Sequence, residues 1–363
     1  MAPAARSCVR GMTLIELMVG LVIGLLTTAA IMNVLAVAEG QRRAATTGSD
    51  AQINGTVALD TLRRDILQAG YGLAAYPAAL GCTVSAQYNS GTAWTFTLAP
   101  VQITDGGAAG APDSILVLAS GKTAASVPML TTAAHTASAT SFTVQSSYPT
   151  VAGDLLMAVP ETWDTTTGCT LLAATAVTST VVTHDTTSGW NATQSALLPA
   201  TLAKGSVLLN LGSLVYRTWS VSSANALQAA TLSSSTGTTT TQEAFPEIVD
   251  LQALYGKDTT GDGTIDSYDT SAPTTVTGWQ RVLAIRVAVV ARGTQYQRET
   301  VTSAVPQWNL GTAVTASNTS TCSDGSGGQC IKLRVDRLDD WQHYRYKVFD
   351  TLVPLRNVLW NAG

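Results

Sequence analysis

The chain has 363 residues, 45% of them apolar and only 12% charged, against roughly 25% charged in an average soluble domain. That excludes a disordered chain and leaves ample length for a core in about two domains. Twenty basic against 24 acidic side chains give a formal charge of −4, so no basic footprint for nucleic acid exists, and abundant Ser and Thr with few Lys suit an exported, β-rich protein better than a cytosolic enzyme.

Residues 1–11 carry Arg6 and Arg10 and no acid, and the next charged residue is Glu16. From Leu17 to Ala38 there is no charge at all; as a helix this stretch spans roughly 33 Å, about one bilayer core. An ordinary signal peptide places its small-residue cleavage site beyond the apolar run. Here no distinct Ala-x-Ala site follows Ala38, whereas Gly11-Met12 precedes the run, so cleavage there leaves the helix attached. From hydropathy alone the segment equally reads as an uncleaved anchor with its positive residues inside. Glu16 argues for more than an anchor. A carboxylate in an apolar helix costs a few kcal/mol and calls for a partner, and the nearest is an α-amino group freed at Met12, one helical turn away.

The string Gly11-Met12-Thr13-Leu14-Ile15-Glu16-Leu17-Met18-Val19 resembles the class III signal of type IV pilins and pseudopilins. The resemblance implies cleavage after Gly11 by prepilin peptidase, N-methylation of Met12, and Glu16 as the acid at the fifth mature position, where it serves assembly. Met12 stands where most pilins carry Phe. Loss of residues 1–11 also removes Cys8 and leaves 18 basic against 24 acidic side chains.

Helical spacing resumes with Leu59, Leu62, Ile66 and Ala69, while Asp60, Arg63, Arg64 and Asp65 take other faces, which predicts an amphipathic helix ending near Gly70 and Gly72. A continuous helix from Met12 to Gly70 would be roughly 88 Å long, with Gly40, Gly48 and Gly55 loosening its middle. Past Tyr76, short apolar runs broken by Gly, Ser, Thr, Asn and Asp predict strands at 94–98, 114–119, 141–145, 154–159, 207–211, 214–221 and 282–291. Ser233–Thr241 reads as a mobile loop or an internal boundary. The four remaining cysteines, Cys82, Cys169, Cys322 and Cys330, suit two disulfides in an exported domain. Three connectivities exist. A local bridge across Ser-Asp-Gly-Ser-Gly-Gly-Gln favours Cys322 with Cys330, leaving Cys82 with Cys169.

Three further stretches resemble the large minor pilins of the PilW type. They are Ala58-Leu59-Asp60-Thr61-Leu62-Arg63-Arg64-Asp65-Ile66 with Ala69-Gly70-Tyr71, Leu251 to Asp269 followed by Trp279 and an alternating strand, and Tyr344 to Phe349 with Val353-Pro354-Leu355-Arg356-Asn357. The expected fold class is α+β, a long pilin helix packed on a large, mainly antiparallel β domain. Its expected divisions are a leader at 1–11, a membrane or filament-core helix at 12–38, an amphipathic continuation at 39–72 and a β-rich exported domain at 73–363. Within the last, 90–240 is a variable insert and 244–363 the PilW-like part.

Within the acidic stretch, taking Asp258 as position 1 of a calcium loop puts Thr260 at 3, Asp262 at 5, Gly263 at 6, Thr264 at 7, Asp266 at 9 and Asp269 at 12. The competing reading is an Asp-Gly hairpin turn. His135, His184 and His343 lie in unrelated contexts, and no nucleophile elbow, zinc motif or phosphate loop is present, so the chain reads as non-enzymatic with no cofactor beyond possible Ca²⁺. The resemblance implies a structural minor pilin that primes assembly at or near the tip of a type IV pilus. Its implied partners are other minor and major pilins, prepilin peptidase, the assembly platform and a tip adhesin. Its implied place is the inner membrane, with a periplasmic domain, and then the extracellular pilus. The alternatives are a pseudopilin of a type II secretion system and a membrane-tethered adhesin or sugar-binding module whose insert does the work.

Overall fold

The computed structural model describes residues 11–107, 110–122, 127–164, 167–312, 315–316 and 319–359, without the side chains of 41 and 43–47. Residues 1–10, with Arg6, Cys8 and Arg10, and Trp360 lie outside the described residues. Two compact units divide after Asp50. One helix, Leu14–Gln68, contributes to both and runs unbroken through Gly40, Gly48 and Gly55, so none of these glycines interrupts it.

In the first unit, Leu14–Gly40 has a mean hydropathy of 2.3, long and apolar enough to cross a membrane. Every residue from Gly11 to Gly40 is exposed. The hydroxyls of Thr27 and Thr28 donate back to the carbonyls of Ile23 and Gly24 at 2.7–2.9 Å, which spares them an unpaired donor in an apolar medium.

In the second unit the helix buries one face: Ala58, Leu62, Ile66 and Ala69 are fully inaccessible, the i, i+4, i+8 stripe of an amphipathic helix. They pack into a core with two five-stranded sheets. One sheet orders Thr239–Pro246, Ala226–Leu232, Leu214–Val221, Ser114–Ser120 and Val101–Thr104, all antiparallel. The other orders Thr315–Ala316, Ser267–Asp269, Ile248–Lys257, Val282–Arg292 and Tyr346–Pro354, antiparallel but for its first pair. Gly55 is a contact, not a weak point, because a Cβ there would lie 2.1 Å from the Phe349 ring. The helix stops where Gly70 takes φ +77°, and the Asn357 amide donates to the carbonyls of Gln68 and Ala69 at 3.3 and 2.9 Å. A side chain from the far end of the chain thus satisfies acceptors that a helix terminus otherwise leaves open.

The segment 90–240 is not set apart from the common core. Val101–Thr104, Ser114–Ser120, Leu214–Val221 and Ala226–Leu232 are strands of the first of these sheets. A further six-stranded sheet, including Leu155–Val159, Cys169–Ala173 and Val207–Gly212, carries its own apolar clusters. Ser233–Thr241 is neither loop nor boundary throughout: Ser233 and Thr238 close a hairpin, Ser233 N to Thr238 O at 2.8 Å, and Thr239 begins the next strand. Its turn is held from outside by Tyr88, whose hydroxyl donates to the Ser235 carbonyl, and by Trp190, whose indole donates to the Ser234 carbonyl.

Candidate functional site

Gly11, Met12 and Thr13 precede the helix in irregular, exposed backbone, which leaves the Gly11-Met12 bond open to a peptidase. Thr13 and Glu16 bond reciprocally. The Glu16 carboxylate accepts from the Thr13 amide and hydroxyl, both at 3.0 Å, and the Glu16 amide donates to the Thr13 hydroxyl at 3.3 Å. This is a capping box, whose Thr-x-x-Glu signature is plain in the sequence. Glu16 therefore has a partner within its own helix before any other subunit arrives. Met12, Glu16, Gly20 and Gly24 line one face of the helix, and nothing lies within 4 Å of where a Cβ would stand at either glycine.

The acidic stretch folds on its own amides. Burial works against the charge of Asp258, but the amides of Gly263, Gly261 and Asp262 outweigh it and hold the carboxyl below its usual range. The hydroxyl of Thr259 and the amide of Thr260 do the same for Asp266. Asp262 accepts from the amide and hydroxyl of Thr264. Asp269 sits in the strand Ser267–Asp269, ion-paired to Lys257 at 2.6 Å. The six residues Asp258, Thr260, Asp262, Thr264, Asp266 and Asp269 thus form a hydrogen-bonded turn plus a strand residue. The Thr260 hydroxyl bonds both Asp258 and Asp266, and among the described residues no three His, Cys, Asp or Glu side chains converge as metal ligands.

The disulfides are Cys82–Cys169 and Cys322–Cys330. The first joins the parallel strand pair of the six-stranded sheet; the second closes the loop between two short antiparallel strands.

Two histidines that look unrelated in sequence meet in the fold. His135 and His184, 3% and 0% exposed, face each other with Nε2 atoms 2.9 Å apart. His184 Nδ1 meets the Gln194 side chain, and Phe142 lies against both rings. Burial, then the proximity of His184, pushes His135 down to about 4 against the pull of the Ala139 carbonyl; burial also lowers His184. No sequence spacing predicts the pair. His343 lies elsewhere, its Nδ1 on the Gln297 carbonyl.

Residues 6–32 match the family model for the prokaryotic N-terminal methylation motif, and residues 217–357 match the model for type IV pilus-assembly protein W. The chain carries a prepilin signal and a PilW-type pilin domain. No curated protein and no solved structure matches it. In this pilin the first match spans the Gly11-Met12 bond and Glu16. The second begins inside the strand Leu214–Val221, well before residue 244, and ends on Asn357, the residue that caps the long helix. Both matches point to a structural, membrane-anchored subunit that ends up in the pilus and that other pilins and the prepilin peptidase engage.

Proposed function

We propose that this pilin is a minor subunit that primes type IV pilus assembly at or near the tip. Prepilin peptidase cleaves after Gly11 and methylates Met12, and the domain waits on the periplasmic face of the inner membrane. The helix then passes through the assembly platform to join other minor and major pilins beneath a tip adhesin. The observation that carries this reading is the pairing of an exposed, capped apolar helix behind Gly11-Met12 with a PilW-type domain that fills its own core. The PilW match also favours a pilus over a secretion pseudopilus.

The capping box sharpens the test of Glu16. Glu16→Gln keeps an acceptor for the Thr13 amide but loses the charge that pairs with a neighbour's ammonium, whereas Glu16→Val loses both. Both variants should be processed normally, with mass spectrometry finding a methylated Met12 start, and both should fall several-fold in sheared pili relative to membranes. Wild-type incorporation of Glu16→Gln would reject charge pairing and leave helix capping as the role. A deletion strain that still makes a normal number of pili would reject priming.

A further inference from the structure

A cavity of about 420 Å³ lies beside the end of the long helix, in the second unit. Val117 is buried in its wall and Leu67 and Val215 are half-buried, while Tyr71 and Arg356 are exposed at its mouth. Several polar groups around it have structural employment. Asp65 accepts from Arg217 at 2.8 and 3.0 Å and from the Trp219 indole at 2.8 Å. The Asn357 amide caps the helix, and the Ser120 hydroxyl donates to the Leu211 carbonyl. Tyr71 and Arg356 differ: neither side chain hydrogen-bonds or ion-pairs with any described residue.

That difference matters because of where the two residues come from. Tyr71 follows the helix end and Arg356 the last strand, 285 positions later, yet the fold brings both to one opening. Asp65 neutralises Arg217, so Arg356 leaves the cavity with a net positive charge over an apolar wall. A cavity of this size with an apolar lining and one or two placed polar groups has the character of a binding site. Its complement is an apolar side chain next to a carboxylate, the guanidinium offering a two-pronged donor to the acid and the phenol a further hydrogen bond.

We propose that this cavity docks a neighbouring pilin of the same fibre, which inserts an apolar side chain flanked by an Asp or Glu that pairs with Arg356. The proposal rests on the pilin reading and adds to it a surface on the folded domain, distinct from the apolar helix. Because Arg356 is exposed and unpaired, changing it spares the fold, and the test can use the full-length chain in cells that assemble pili.

The experiment places a photoreactive p-benzoylphenylalanine at position 71 in place of Tyr71. Illumination should link the chain to another pilin, at a peptide carrying an acid within two residues of the attached apolar side chain. Arg356→Glu should reduce that adduct roughly tenfold, the size expected for reversing one interfacial charge, while Arg356→Lys retains most of it. Changing the partner's acid to Lys should restore the adduct to Arg356→Glu. An adduct with lipid only, no adduct, or an adduct indifferent to Arg356→Glu would overturn the docking site. Sheared fibres separate the two levels of failure. If the chain is present in fibres but position 71 gives no pilin adduct, only the docking site falls; if the chain never enters fibres, the pilin reading falls with it.

Discussion

Acid acts directly on the buried pair of His135 and His184. With both rings neutral, one Nε2 donates to the other across 2.9 Å; with both charged, two cations face each other in a buried site. The folded state holds His135 at about 4, below the roughly 6.5 of an unfolded chain. Its stability contribution is therefore complete above about pH 6.5 and is lost as pH falls towards 4. Asp185, beside His184, partly offsets the loss. Two buried acids act with the opposite sign. Burial lifts Asp113 to about 7 against the amides of Gly106 and Ala253, and lifts Asp250 to about 6 against Gln252, Arg337 and the Leu251 amide. Both weaken the fold as pH rises from about 4 to 7. Comparison with His135→Gln, which keeps a hydrogen bond and does not titrate, isolates the histidine contribution: the variant should lose less stability than wild type between pH 6.5 and 4 in denaturant titrations. The acidic turn makes a second prediction at this scale. If amides hold it, Asp258→Ala, which loses three amide bonds, should lower the melting temperature more than Asp262→Ala, and 5 mM EGTA should leave the wild-type melting temperature unchanged. Equal losses for Asp258, Asp262 and Asp266 together with chelator sensitivity would restore the calcium reading.

At the scale of elements, the helix and its glycine show how far local pattern carries. The spacing of Leu62, Ile66 and Ala69 identifies the buried face without any structure, and alternating apolar runs place strands such as Leu214–Val221, whose observed limits coincide with the expected ones. Gly55 is where local reasoning stops. As an isolated choice it weakens a helix by about 1 kcal/mol relative to Ala, yet here it clears space for Phe349, 294 positions away. Gly55→Ala should be destabilising, because overpacking of about 1–3 kcal/mol exceeds the propensity gain. In a Phe349→Ala background the same substitution should become stabilising by about 1 kcal/mol. If Gly55→Ala stabilises the wild-type chain outright, the ring moves freely and the close approach carries no cost. The same limit hid His135 from His184 and Arg217 from Asp65, pairs joined only by tertiary folding. The acidic stretch shows a related limit: oxygens at calcium-loop spacing can equally serve backbone donors, and spacing alone does not say which.

Across the whole molecule, the two disulfides constrain very different lengths of unfolded chain. Their sequence separations are 87 for Cys82–Cys169 and 8 for Cys322–Cys330. On the loop-entropy account these correspond to about 4.5 and about 2.5 kcal/mol. Cys82→Ser/Cys169→Ser should therefore lower the urea midpoint more than Cys322→Ser/Cys330→Ser; the reverse order would show that the short bridge holds structure beyond its own loop. The pairing partners of both bridges were readable from the even cysteine count and one short flexible loop, whereas the shared core of helix, insert strands and last strand was not. That core has a consequence in time. Asn357 closes the helix end and Tyr346–Pro354 completes the sheet beneath it, so the helix finds its final contacts only when residues 289 positions later in the chain have folded. A chain clipped before Tyr346 loses that strand and the Asn357 cap together, and added protease should cut it within the helix where it spares the intact chain.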